Sequence, residues 1–104
     1  MSASGKRWMG LVARVPCVLC QHLGLGETPA QVHHLKTGRG MTDKAPDFLT
    51  IALCPEHHTG ATGVHQLKDR GLYTRYGLDE LELLSMTIEG VNDLLYSAGR
   101  RIAK

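Results

Sequence analysis

The chain has 104 residues, 42% of them hydrophobic, and a net charge of +2, which suits one globular domain over 1–104 and leaves no room for separate catalytic and regulatory domains. No run approaches the roughly 20 apolar residues needed to cross a bilayer. The stretch from Met9 to Leu19 is broken by Arg14 and Pro16 without a signal-cleavage pattern, so a soluble, cytoplasmic protein with no membrane association is expected.

In chain order, residues 6–15 read as a short helix delivering the chain to Cys17, and Gly24, Gly26 and Pro29 mark a loop. Ala30 to Leu35 reads as a strand, Lys36 to Asp47 as an extended loop, and Phe48 to Leu53 as a second strand too apolar to lie uncovered. Pro55 ends it. After the Gly60 to Gly63 loop, His65 to Tyr76 reads as a helix closed by Gly77. A last helix, 79–97, starts at Asp79 as N-cap with Glu82 three positions on. Its stripe Leu81, Leu84, Ile88, Val91 and Leu95 is expected to cover the protein's own core, with homodimer pairing as the alternative.

Aromatic residues are few (Trp8, Phe48, Tyr73, Tyr76, Tyr96), so a metal or a partner subunit is expected to supply part of the stability. The three cysteines are an odd number for a disulfide framework and read better as reduced thiolates. All three, Cys17, Cys20 and Cys54, lie with all six histidines, His22, His33, His34, His57, His58 and His65, between residues 17 and 65. Thiolate and imidazole suit zinc. Cys17-x-x-Cys20 and Cys54-x-x-His57 have the spacing at which a tight turn aims two side chains at one ion, and together they make a closed, structural zinc site. A c-type haem site would need His directly after Cys20, where Gln21 stands. A zinc deaminase would need a histidine ahead of Pro16-Cys17, and none precedes it. A thioredoxin-like pair would leave Cys54 and the histidines unexplained.

The remaining histidines form a second group. His33, His58 and His65 are assigned as ligands of a catalytic divalent metal with open coordination positions. His34 is assigned as the unligated general base, because neighbours on a strand face opposite sides and an ordinary imidazole pKa of about 6.5 suits proton removal near neutrality. Both rings reach one substrate only if the strand bends or ends there. With those roles His34 would activate a water against a phosphorus while the metal stabilises the growing charge.

The pattern CxxC, His33-His34, Leu53-Cys54-Pro55-Glu56-His57-His58 and a later His65 resembles the HNH, or ββα-metal (His-Me finger), nuclease superfamily. Within it, His33 to Met41 and Asp47 to His65 are similar to small phage and prophage proteins related to the Ref-type RecA-dependent nucleases, as are Arg75 to Leu78 and the leucines that follow. The resemblance implies an α+β, zinc-stapled ββα-metal core over 17–76 with flanking N-terminal and C-terminal helices. It also implies magnesium- or manganese-supported DNA nicking or cleavage, with zinc as a further candidate for the catalytic ion, and His34 as base. A RecA filament enters as a partner by analogy alone. Two departures stand out. No asparagine lies near Phe48, so Asp47 or Thr50 must stand in for the motif residue that orients the base, and the gap between His58 and His65 is wider than in many relatives.

Residues 1–44 carry six basic side chains (Lys6, Arg7, Arg14, Lys36, Arg39, Lys44) against Glu27 and Asp43, a bias that suits either a polyanion or a solvated face. Lys36, Arg39 and Lys44 are the candidate DNA-phosphate contacts, which position without specifying sequence. Two competing functions remain: a non-catalytic zinc module that binds nucleic acid or protein, which needs only the closed site, and a toxin-like nuclease acting on RNA.

Overall fold

Strand β2 (Thr50–Leu53) is buried along its whole length, and the rest of the fold is arranged to cover it. The computed structural model describes residues 2–36 and 45–103, with side chains through residue 97. In order the elements are α1 (Ala3–Val12), α2 (Val18–His22), β1 (Gln31–His34), β2, α3 (Pro55–His58), α4 (Val64–Tyr76) and α5 (Glu80–Ala103). β1 and β2 form a two-stranded antiparallel sheet in which Gln31 faces Leu53 and His34 faces Thr50. An isolated pair of strands is marginal in water. Here α1, α2 and α5 all pack on β2, and the fully buried Leu19, Ile51, Leu53, Leu72 and Leu83 centre the core.

The local chemistry explains the boundaries. Ser2 caps α1, its Oγ accepting from the Gly5 amide at 3.0 Å, and α1 ends ahead of the expected limit, at Val12. Phe48 and Leu49 form the turn into β2 rather than part of the strand. The Phe48 ring is half exposed and lies 5.9 Å from Trp8 on α1. Pro55 both ends β2 and starts α3: proline's fixed φ and missing N–H suit the first helical position. That one-turn helix was not foreseen in the sequence. α4 stops at Gly77, whose φ of 72° is the left-handed geometry of a helix C-terminus, and it kinks at Lys68, where φ is 58° and ψ −174°. Asp79 accepts from the Glu82 amide at 2.9 Å and so caps α5.

Of the expected core stripe on α5, Leu84 and Val91 are buried, whereas the other three positions face outward. Leu81, Ile88 and Leu95 are 54%, 45% and 53% exposed, while the buried positions are Glu80, Leu83, Leu84, Thr87 and Val91. The cause is polar substitution on the inward face: Glu80 and Thr87 occupy core-facing positions, which shifts the apparent apolar periodicity outward. Both have partners. Thr87 Oγ1 accepts from the Ala52 amide of β2 at 3.3 Å and donates to the Leu83 carbonyl at 2.9 Å. Among the described residues no helix is long and apolar enough to cross a membrane.

Candidate metal centres

Two groups of side chains that could hold a metal ion assemble, each taking one histidine from α3. The first is Cys17, Cys20, Cys54 and His57, all buried. Cys17 is the N-cap of α2 and accepts from the Cys20 amide at 3.4 Å, so the CxxC turn points both thiols one way. Cys54 and His57 come from the N-cap and third residue of α3. The His57 Nδ1 lies 3.6, 3.4 and 3.5 Å from the sulfurs of Cys17, Cys20 and Cys54, and Cys20 Sγ lies 3.7 Å from Cys54 Sγ. Metal bonds of about 2.3 Å to sulfur and about 2.0 Å to nitrogen give tetrahedron edges of about 3.8 Å between sulfurs and about 3.5 Å between sulfur and nitrogen. The cluster thus has the size of a zinc tetrahedron and could hold a structural metal such as zinc. Electrostatics point the same way. Burial, with the neighbouring Cys20 and Cys54, pushes the Cys17 thiol up to about 12, and burial lowers His57. Three thiolates here need a cation to hold their charge.

The second group is His33, His58 and His65, whose ligating atoms lie within 4.8 Å of one another. Ring centroids are 5.1 Å apart for His33 and His58, 5.0 Å for His33 and His65, and 4.7 Å for His58 and His65. β1 supplies the first ring, α3 the second and the first turn of α4 the third. His58 directs Nδ1 at the Gln31 side-chain oxygen, 2.9 Å away, which leaves Nε2 for the cluster. Burial first, then His33 and His65, push His58 down to about 4. His65 is lowered as well, chiefly by burial. His58 and His65 therefore favour the neutral form that binds a cation.

The long gap before His65 is closed by a folded loop. Glu56 Oε2 accepts from the Thr62 amide at 3.0 Å and its hydroxyl at 2.6 Å, and Tyr76 donates to the Thr62 carbonyl at 2.7 Å. A Cβ on Gly63 would come within 2.6 Å of the Glu56 carbonyl oxygen and of the His57 backbone, so this glycine permits the close approach that returns His65 to His58. None of these three supports was legible as such in the sequence.

His34 stands apart from the three-imidazole group. It is the last residue of β1, which meets the requirement that the strand end there, and its Nε2 is 3.0 Å from Asp47 Oδ1. Nδ1 is left to accept a proton. Thr50 donates its hydroxyl to the Asp47 carbonyl at 3.0 Å, and a Cβ on Gly5 would meet Asp47 Oδ2 at 2.7 Å, so α1 closes over this pair. Lys36 is exposed beside β1; Arg39 and Lys44 lie outside the described residues. His22 is exposed at the end of α2, in a groove with Glu27, Glu89 and Asp93, away from both clusters. The sequence reading missed Glu80, 2% exposed, whose Oε2 lies 2.6 Å from His33 Nε2. The signal was a carboxylate three, four, seven and eleven residues before Leu83, Leu84, Thr87 and Val91, on their inward face.

A family model described as recombination enhancement, RecA-dependent nuclease, matches residues 1–89. No curated protein and no solved structure gave a match.

Proposed function

Because the chain belongs to the family of recombination-enhancement, RecA-dependent nucleases, we propose that it is a metal-dependent endonuclease of the HNH type that hydrolyses DNA phosphodiester bonds. The carrying observation is the convergence of His33, His58 and His65 on one point beside a His34–Asp47 pair. β1, β2 and the helices that follow are read as its ββα-metal core, and the Cys3His cluster as its structural zinc.

A divalent cation held by the three imidazoles, magnesium or manganese with zinc as the alternative that an all-imidazole set suits best, would supply Lewis-acid charge to the scissile phosphate. Everything else falls to the chain's own side chains. Asp47 accepts the Nε2 proton of His34, fixes that ring's orientation and stabilises it once protonated, so Nδ1 takes the proton from the attacking water. Asp47 thereby fills the place of the missing asparagine, with Thr50 supporting it through its carbonyl. Lys36, with Arg39 and Lys44, contacts phosphates flanking the cut, giving weak sequence preference and strong salt dependence. The family name supports RecA-bound DNA as the substrate in recombination.

The test is nicking of supercoiled plasmid, and of single-stranded DNA with and without a RecA filament, in magnesium or manganese. Wild type should cut at least one substrate, and His34→Ala, with its zinc retained, should lose about 10²- to 10⁴-fold in rate. Unchanged cutting by His34→Ala would remove the base assignment. Wild type inactive on every substrate would overturn the nuclease reading in favour of a zinc-stapled binding module.

A further inference from the structure

Resting on the reading of His33, His58 and His65 as a metal centre, we infer that Glu80 is a positioning residue for that centre, acting through His33 and through the backbone that leaves β1. Glu80 is the first residue of α5 and is buried at 2% exposure. A carboxylate so placed needs strong partners. One is His33 Nε2 at 2.6 Å. Another is the Lys36 amide, 3.0 Å from Oε1 and 3.2 Å from Oε2.

The consequence for His33 is chemical. Its ring is itself buried and held from behind, so Nε2 carries the proton and Nδ1 is the atom that remains for a cation. Glu80 is not among the groups whose ligating atoms gather within 4.8 Å of one another, which places it behind the ligand. A carboxylate behind a ligating imidazole sets the tautomer, orients the ring and makes the free nitrogen a better donor. The same carboxylate fixes where the chain departs at Lys36, two residues after His34. One side chain from α5, far away in sequence, thus sets the direction of a metal ligand and holds the backbone at Lys36.

The experiment uses the full chain with its zinc in place and Mn2+ as the probe, followed by the electron paramagnetic resonance signal of the free ion. Long-range 15N–1H correlation of the histidine rings supplies a second readout independent of cleavage. In wild type, one Mn2+ should bind at the three-histidine site and His33 should be the Nε2–H tautomer before metal is added. Glu80→Ala should weaken Mn2+ binding by about 10- to 100-fold and lose the fixed tautomer, with zinc content unchanged. Glu80→Gln still offers an oxygen to the Nε2 proton and should keep the tautomer, with an intermediate affinity. It also serves should the alanine variant not fold. Wild-type Mn2+ affinity in Glu80→Gln together with either the opposite tautomer in wild type or wild-type affinity in Glu80→Ala overturns the inference. Failure of wild type to bind Mn2+, with His33→Ala indistinguishable from it, instead overturns the metal-centre reading on which the inference stands.

Discussion

Stripping the zinc should unfold this protein rather than loosen it. Four ligands from two segments more than thirty residues apart, Cys17 with Cys20 and Cys54 with His57, meet at 3.4–3.7 Å. A metal held there would join α2 to the end of β2, the strand on which α1 and α5 also pack. Structural zinc contributes on the order of 10–16 kcal/mol of apparent binding free energy near neutral pH, whereas the whole stability of a domain is about 5–15 kcal/mol. The core has no large aromatic among its fully buried side chains, so it holds little in reserve. Burial also raises the Cys17 thiol, so without a cation the gathered sulfurs favour their protonated form and no longer draw the two segments together. The assay is far-UV circular dichroism and zinc content during titration with a strong chelator. Loss of ellipticity should track loss of one zinc per chain, and zinc alone should restore it. Full helicity and an unchanged thermal midpoint in protein with no bound zinc would refute the argument.

Leu53→Ala, at a fully buried position between the sheet and the helices, should cost about 2.7–5 kcal/mol in urea denaturation of the zinc-loaded protein. Gly63→Ala places a Cβ 2.6 Å from the Glu56 carbonyl oxygen and from the His57 backbone; it should displace His65 and reduce Mn2+ binding, and equal Mn2+ affinity would count against the close-approach argument. Gly5→Ala sets a Cβ 2.7 Å from Asp47 Oδ2, so cleavage should slow through kcat with substrate binding retained, whereas an unchanged kcat would separate α1 from the base. For acid stability the sign follows from His58: its folded value, about 4, lies below the unfolded value of about 6.5, so the unfolded chain takes up the proton first. Stability without the second metal should fall as pH drops from about 6.5 toward 4. His58→Gln should show a shallower fall in urea midpoint over that window, and parallel curves would contradict it.

The two clusters were legible in the sequence because metal chemistry demands particular residue types at short spacings. Cys17-x-x-Cys20 and Cys54-x-x-His57 needed only a tight turn each, and the histidines left over had one place to go. Asp47 and Thr50 were the two candidates near Phe48 to orient His34, and the structure puts the Asp47 carboxylate on that ring, with Thr50 on the Asp47 carbonyl. What escaped were the long-range supports. Glu80 sits 47 positions from His33, and its inward placement was hidden because it and Thr87 interrupt the apolar pattern of α5, leaving Leu81, Ile88 and Leu95 to mark a stripe that faces outward. The loop that closes the His58 to His65 gap depends on Glu56 reaching Thr62, an exposed contact with no periodic signature.

His57 and His58 are consecutive residues of the single turn α3, and consecutive residues on a helix point about 100° apart. One turn therefore serves two pockets, and the direction of His58 is inherited from the anchoring of His57. A metal in the sulfur-rich pocket would therefore also help to set the shape of the imidazole pocket. If the chain is the metal-dependent nuclease proposed above, starving a newly made chain of zinc should leave it inert toward DNA however much magnesium surrounds it.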